Sequence, residues 1–216
     1  MNPEHMPKPP ADPWPTVKYL SRSIARTGRL LAERRVHLPR RNVGRKLPFT
    51  DGTQAVVYRE TVVDREPTRH PTVLLVRFKL VLVRGPGHAL FRAESILNTP
   101  LFVGFPGYVS KLWLGNDENG FYRGIYEWDG PVRAENYVRT LWRVLALVSV
   151  PGSIQYQVLP GIRRDDFLAH PVLATDAGAP APRSPAEAWG LPAQPVPVLH
   201  GSRRGPARGS ARGARR

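Results

Sequence analysis

The sequence contains no cysteine, which excludes disulfide bridges, zinc–thiolate sites and cysteine nucleophiles. It also lacks any run that approaches the roughly 20 apolar residues that a membrane-spanning helix requires. Residues 1–15 have no apolar stretch of the kind found in secretory signals, and we therefore expect a cytoplasmic protein. A chain with these absences must be stabilised by apolar packing and hydrogen bonds.

Motifs that hold metals, nucleotides or acyl groups are missing as well. The six histidines are scattered, and none is spaced like a pair of metal ligands. The segment RGPGHA has glycines but neither the spacing of a dinucleotide loop nor a phosphate-binding lysine. The segment GYVSK does not have the pattern of a serine nucleophile elbow. We expect neither a metal nor a cofactor.

Acidic residues are few, because 17 Asp or Glu accompany 32 Lys or Arg and the formal net charge is +15. Residues 71–166 carry 11 basic and 8 acidic side chains, so most of the excess lies outside the most regularly patterned part of the chain. The charge indicates weak, non-specific binding to polyanions or to an anionic membrane rather than sequence-specific recognition of nucleic acid.

Both ends of the chain are rich in proline, and we expect residues 1–15 and 167–216 to be disordered. Residues 16–71 form an extension with a basic amphipathic helix predicted over 17–36 and a strand over 54–63. Apolar residues share one face of this helix and basic residues share another, namely Val17, Leu20, Ile24, Gly28 and Leu31 against Lys18, Arg22, Arg26 and Arg29. The apolar face either docks on the domain or lies on an anionic membrane.

Residues 72–166 alternate between strand and helix signals. The predicted strands are 72–83, 108–114, 121–128 and 153–160, and the predicted helices are 88–98 and a second one from Pro131 to about 148. This order is typical of an α+β protein with the ferredoxin-like, split βαβ fold, in which two helices cover one face of a four-stranded antiparallel sheet.

The second face of such a sheet needs a cover, because burying each large apolar side chain contributes about 1.5–3 kcal/mol. We expect a homodimer in which a second copy of the domain covers this face. The alternative is a monomer in which the strand at 54–63 and the helix at 17–36 fold across the sheet.

Two segments, GFPGYVSKLWL and GFYRGIYEWDGPVRAENYV, carry a resemblance to a known family. They resemble the dimeric α/β-barrel superfamily, and within it the small monooxygenases of the antibiotic-biosynthesis type. The resemblance implies a homodimer that closes a barrel and binds a small hydrophobic or aromatic ligand. It also implies a cofactor-independent monooxygenase, in which an electron-rich substrate reduces O₂ inside a dry cavity.

Chemistry-bearing side chains cluster on the strands at 108–114 and 121–128. The candidates for catalysis are His88 and Tyr126, and the candidates for substrate binding are Lys111, Trp113, Tyr122, Gly124, Trp128 and Tyr137. Arg77 and Arg123 are further candidates for a cationic partner of the substrate. Period two places Tyr122, Gly124, Tyr126 and Trp128 on one face of their strand.

Two interpretations of this face are open. Gly124 leaves a gap among aromatic side chains that admits a ligand, or the aromatics form a core or dimer interface in which Gly124 accommodates a bulky neighbour. Two functions are open accordingly. One is binding, and cofactor-independent oxygenation, of an aromatic or lipophilic molecule. The other is a non-enzymatic dimeric interaction protein whose basic extensions contact an anionic membrane or nucleic acid.

Overall fold

A computed structural model describes residues 13–81, 99, 102–171 and 189–196 of the 216-residue chain, with side chains from residue 20 onward. The helix predicted at 88–98, and with it His88, lies outside the described residues. The first twelve residues and most of the chain after residue 171 lie outside them as well.

Seven strands and three helices follow one another within the described residues. They are α1 (Pro13–Ala32), β1 (Val36–His37), β2 (Lys46–Pro48), β3 (Gln54–Val63), β4 (Pro71–Lys79), β5 (Tyr108–Leu114), β6 (Phe121–Asp129), α2 (Pro131–Ala146), β7 (Gln155–Pro160) and α3 (Arg164–Ala169). The predicted strands are confirmed to within a few residues. The strand predicted at 72–83 ends early, because beyond Lys79 the chain leaves β6 and Leu80 pairs with Ser149 instead.

The strands form one open antiparallel sheet, so the protein is a mixed α+β protein. The order across the sheet is β7, β4, β6, β5 and β3, and both β1 and β2 pair with the remaining edge of β3. Because β3 also pairs with β5, the strand of the predicted N-terminal extension belongs to the same sheet as the strands of residues 72–166.

Two bulges change which residues face which side of the sheet. In β3 the register shifts between Val57 and Arg59, and the consecutive residues Tyr58 and Arg59 both reach the face that carries Trp113. In β5 the register shifts between Tyr108 and Ser110. A bulge adds one residue to one strand, so simple alternation breaks down at both places.

Helices α1 and α2 cover one side of the sheet, which we call the helical face. Pro131 opens α2, at a position where its missing N–H costs no hydrogen bond, as the sequence predicts. The core on this side combines sheet residues with residues of α2, among them Leu74, Val76, Tyr126, Trp128, Ala134, Tyr137 and Val138.

The other side of the sheet, which we call the opposite face, is buried by segments of the same chain. Its sheet residues include Val73, Leu75, Leu112 and Ile125. The cover consists of Leu47 and Phe49 near β2, Phe167 and Leu168 of α3, and Trp189 and Val196. The homodimer is expected because this face of the sheet needs a cover, whereas segments of the same chain already cover the described part of it. The dimer itself stays a prediction.

Trp189 and Val196 lie in the tail for which disorder is expected. Trp189 is 6 % exposed, and the backbone N–H of Val196 donates a hydrogen bond of 2.7 Å to the carbonyl oxygen of Leu168. At residues 189–196 the structure therefore differs from the expectation. The physical reason is that a few apolar side chains suffice to anchor a segment whose average composition is that of a disordered one.

Helix α1 docks on the domain, as one of the two interpretations expects, but through a face rotated from the predicted one. Leu20 of the predicted face packs against the core of the helical face, and Leu30 belongs to that core. Ser23 and Thr27 are buried, whereas Ile24 and Leu31 of the predicted apolar face are 49 % and 52 % exposed. The helix comes so close to Gly104 that a Cβ there would overlap the carbonyl oxygen of Ser23. Small side chains permit this approach, and hydrophobic periodicity does not detect them.

No helix in the described ranges combines the length and the apolar character needed to cross a lipid bilayer.

Candidate functional site

A cavity of about 600 Å³ lies between α2 and the helical face of the sheet. Its walls are mainly apolar and aromatic. They include Val76, Phe78, Lys111, Trp113, Tyr122, Gly124 and Tyr126 from the sheet, and Tyr137, Val138, Leu141, Trp142 and Leu145 from α2. Cavities of roughly 300–1,000 Å³ with such walls are typical of small-molecule sites.

Strands β5 and β6 place the polar groups of the cavity opposite one another. Lys111 pairs with Tyr126, and Trp113 pairs with Gly124, in the antiparallel register. Residues two apart on a strand share a face, so Lys111 and Trp113 reach the cavity together with Gly124 and Tyr126. The prediction that Gly124 and Tyr126 lie on one face of β6 is confirmed.

The side chain of Lys111 ends among three rings, those of Phe102, Trp113 and Tyr126, which we call the aromatic cage. Lys111 Nζ lies 3.2 Å from the centroid of the Trp113 ring, 4.6 Å from that of Tyr126 and 4.8 Å from that of Phe102. Lys111 is 7 % exposed, and its amine has no hydrogen bond or ion pair with any residue that the structure describes. No described anion therefore balances a positive charge at this position.

Trp113 is itself placed between two basic side chains. The guanidinium carbon of Arg59 lies 3.8 Å from the ring centroid that Lys111 Nζ approaches to 3.2 Å. Two groups so close to one point cannot share one side of the ring, so the indole separates them. Trp113 Nε1 donates a hydrogen bond of 3.0 Å to Thr61 Oγ1 on β3, which holds the ring in this position.

Burial lowers the pKa of Lys111 well below its usual value, and the nearby Arg59 guanidinium lowers this pKa further. The aromatic cage acts in the opposite direction, because the face of each ring attracts a cation by about 0.5–2 kcal/mol. Removing an ammonium ion from water costs several kcal/mol even after the protein relaxes around it. The rings offset part of that cost, and the net effect favours the uncharged amine.

Two tyrosines complete the polar groups of the cavity. The Tyr137 hydroxyl donates a hydrogen bond of 3.3 Å to the hydroxyl of Tyr126. Burial raises the pKa of both phenols, and both therefore stay protonated at neutral pH. Tyr126, which the sequence predicts as a catalytic residue, is accordingly suited to donate a hydrogen bond rather than to act as a base.

Gly124 makes room for its neighbours. A Cβ at this position would lie 2.7 Å from Cε2 of Tyr126 and 3.2 Å from Cε of Lys111. The Tyr126 ring and the Lys111 side chain thus take up the gap, as the bulky-neighbour interpretation predicts. Gly124 also lines the cavity, as the ligand-gap interpretation predicts. Both interpretations therefore describe one arrangement. Because Gly124 has no side chain, the Lys111 side chain can pass over it and place its amine at the cavity.

The structure brings six of the eight predicted site residues to the cavity wall, namely Lys111, Trp113, Tyr122, Gly124, Tyr126 and Tyr137. Trp128 is fully buried behind this wall, and its ring centroid lies 4.7 Å from that of Tyr137 and 5.6 Å from that of Tyr108. Trp128 therefore supports the wall from behind. The role predicted for His88 concerns a residue outside the described ranges.

The two further cationic candidates point to the opposite face. Arg123 donates hydrogen bonds of 2.5 Å to Asp117 Oδ2 and 2.7 Å to Asp51 Oδ2. The guanidinium carbon of Arg77 lies 4.8 Å from the ring centroid of Trp189, which belongs to the core of that face. Both guanidinium groups therefore stabilise the cover of the opposite face and are not placed to bind a ligand in the cavity.

Tyr58, Arg59 and Phe102 belong to the site but are absent from the predicted set. Alternation assigns Tyr58 and Arg59 to opposite faces, and only the bulge in β3 turns both toward Trp113. Phe102 lies in a turn, where no periodicity indicates which way a side chain points. No signal in the sequence identifies these three residues.

Among the described residues, no group of three or more His, Cys, Asp or Glu is placed to hold a metal ion. Comparisons with models of protein families, with curated proteins and with solved structures find no match to this chain. The function is therefore argued from the cavity and the residues that line it.

Proposed function

We propose that this protein binds a small aromatic or lipophilic molecule in the cavity beneath α2. The observation that carries the proposal is an aromatic-walled cavity of about 600 Å³ that holds an amine without an anionic partner among the described residues. Apolar surface removed from water contributes about 25 cal/mol per Å². The walls thus supply affinity, while Lys111 and the tyrosine hydroxyls supply orientation.

The strand order supports a ferredoxin-like fold for residues 72–166. Strands β4, β5, β6 and β7 are the four strands of this segment in chain order, and across the sheet they stand as β7, β4, β6 and β5. Fourth, first, third and second is the order typical of ferredoxin-like sheets. The homodimeric barrel remains part of the proposal, and light scattering distinguishes a mass of 24.1 kDa, which contradicts it, from twice that mass.

Oxygenation without a cofactor is the reaction that we propose for the bound molecule. An activated methylene group of a phenolic substrate becomes a carbonyl group, so one atom of O₂ enters the product and the other leaves as water with the two methylene hydrogens. The substrate supplies all the electrons. The protein supplies a dry cavity and a base, and the uncharged amine of Lys111 is suited to accept the first proton.

Filling the cavity tests the binding proposal. Leu141→Trp enlarges a side chain of the cavity wall, and Val132→Trp makes a matched change on α2 at a residue that is 68 % exposed. We expect Leu141→Trp to weaken the binding of naphthol, measured by calorimetry, at least about tenfold, because the side chain occupies the ligand's volume. Val132→Trp should bind like the wild type. Equal affinities in all three proteins would show that the cavity is not the binding site.

Oxygen consumption tests the reaction separately from binding. Polycyclic phenols that bind are incubated with the protein in an oxygen electrode, with Lys111→Met as the variant that lacks the base. Uptake by the wild type and a loss of at least about tenfold in Lys111→Met would support the reaction. Binding without uptake across the panel would remove the oxygenase step and leave the binding proposal in place.

A non-enzymatic role is the second candidate, and the exposed side of α1 favours it. Arg22, Arg26 and Arg29 are exposed there together with Ile24 and Leu31. Basic side chains beside apolar ones attract an anionic membrane, and the charges alone attract nucleic acid. Binding of the intact protein to anionic vesicles or to RNA that falls steeply with salt would support this role, and no binding at low salt would contradict it.

A further inference from the structure

We propose that Lys111 forms a Schiff base with the carbonyl group of a lipophilic aldehyde or ketone held in the cavity. The inference rests on the proposed function, since it requires that the cavity bind an apolar molecule, but it does not require oxygenation. It assigns the amine a covalent role and names the chemical class of the ligand.

The position of the amine is fixed by its strand. Lys111 lies within β5, which is paired with β3 on one side and with β6 on the other. Its side chain passes the bare backbone of Gly124 and ends in the aromatic cage. A nucleophile carried by a doubly paired strand and enclosed by rings is held in one place, as a reactive group requires.

The absence of a described counter-ion distinguishes Lys111 from Arg123 and Arg164, two other buried cations within the described residues. Arg123 contacts the carboxylates of Asp117 and Asp51, and Arg164 donates a hydrogen bond of 2.8 Å to Glu60. Lys111 has no such partner among the described residues, although it is almost as deeply buried. A structural lysine in a core is normally paired, so an unpaired amine on a cavity wall indicates a group kept available for a ligand.

The electrostatic surroundings suit both states that the reaction needs. Burial and the Arg59 guanidinium lower the pKa of Lys111, which favours the uncharged, nucleophilic amine. The aromatic cage then favours a cation at the same nitrogen, because ring faces attract positive charge. A protonated Schiff base spreads its charge over nitrogen and carbon and is larger and less hydrated than an ammonium ion, so the cage accommodates it at a smaller desolvation cost.

The reaction balances without an oxidant or a reductant. The lone pair of Lys111 Nζ attacks the carbonyl carbon, and a C–N bond forms as the C=O π bond breaks. The carbonyl oxygen then takes both amine hydrogens and leaves as water, which gives an imine. The protonated phenols of Tyr126 and Tyr137 line the same cavity, the first from the sheet and the second from α2, and are suited to pass a proton to the departing oxygen.

Reductive trapping with naphthaldehyde tests the inference on the intact protein. Sodium cyanoborohydride reduces the imine to a stable amine, the intact mass counts the adducts, and peptide mapping locates them. The sequence has five lysines, and exposed Lys46 serves as an internal reference. We expect one adduct per chain at Lys111, in at least about tenfold excess over Lys46, because the cavity concentrates the aldehyde beside an uncharged amine.

Matched ligands and variants separate the inference from the proposed function. Naphthalenemethanol has the same body without a carbonyl, and its binding reports the cavity alone. Lys111→Met should lose the adduct, whereas Lys46→Met, at an exposed residue outside the cavity, should keep both the adduct and the binding of the alcohol. Binding of the alcohol without trapping at Lys111, or with adducts spread over exposed lysines, would overturn the Schiff base and leave the proposed function. Binding of neither ligand would overturn both.

Discussion

Gly124 is the residue at which one added methyl group changes the candidate site. The Tyr126 ring and the Lys111 side chain occupy the space that a Cβ would need. Replacing glycine by alanine in a strand normally stabilises it, by roughly 0.5–1 kcal/mol. At this position the crowding acts in the opposite direction, so the substitution measures how tightly the amine and the ring are held.

For Gly124→Ala we expect the free energy of unfolding to fall by about 1–3 kcal/mol, because the buried Tyr126 ring and the Lys111 side chain must shift to admit the methyl group. Urea-induced unfolding measures this change. Gly115→Ala is the matched control, since its nearest neighbour, the carbonyl oxygen of Val56, would lie at an ordinary 3.7 Å from the new Cβ. A Gly124→Ala protein as stable as the control variant would mean that the amine and the ring are loosely placed.

Helix α1 shows how an element can dock through small residues. Its buried side contains Ser23 and Thr27, and the carbonyl oxygen of Ser23 faces Gly104 at a distance that no side chain could tolerate. Gly28 lies on the exposed side, where an added Cβ would meet no other heavy atom within 4 Å. Packing of α1 therefore requires glycine at position 104, whereas the glycine at position 28 is dispensable.

Replacing the two glycines should change stability in opposite directions. Gly28→Ala should raise the free energy of unfolding by about 0.5–1 kcal/mol, because alanine loses less conformational entropy in a helix. Gly104→Ala should lower it and expose α1 to limited proteolysis, because the helix can no longer approach the backbone. Urea unfolding and protease digestion at low enzyme ratio measure the two effects. A shift in the same direction for both variants would contradict the docking described for α1.

At the scale of the whole molecule, the sheet is covered on both faces within the described chain. Trp189 closes the opposite face, where Arg123 Nε donates a hydrogen bond of 3.2 Å to its carbonyl oxygen. The next residue, Gly190, lies close to the same core, since a Cβ there would lie 2.6 Å from Leu75 Cδ1. The segment 189–196 is thus fitted to the sheet by both its large and its small residues.

Trp189→Ala should lower the free energy of unfolding by about 3–5 kcal/mol, as expected for removing a large buried aromatic side chain. Val132→Ala, at an exposed position of α2, should change it by no more than about 0.5 kcal/mol. Thermal and urea unfolding of the three proteins give the comparison. If Trp189→Ala behaved like Val132→Ala, residues 189–196 would not be part of the core in solution.

The sequence by itself determined most of the strands and six of the residues in the cavity wall. Strand β3 and strand β5 begin and end at the predicted residues, because alternating apolar residues bounded by turn formers are a local signal. The same alternation places Gly124 and Tyr126 on one face and Lys111 and Trp113 on the face that meets it. Five of the predicted site residues reach the cavity from these two strands for this reason, and Tyr137 reaches it from α2.

The tertiary structure alone decided which segments cover the opposite face, which face of α1 docks, and how Lys111 is surrounded. Arg59 reaches Trp113 through a bulge, and Trp189 reaches the core from a segment more than a hundred residues away from its partners Phe49 and Leu75. The charge of an amine depends on the desolvation by every group around it, whichever part of the chain supplies that group. Period and spacing report neighbours along the chain, whereas burial and pKa depend on neighbours in space.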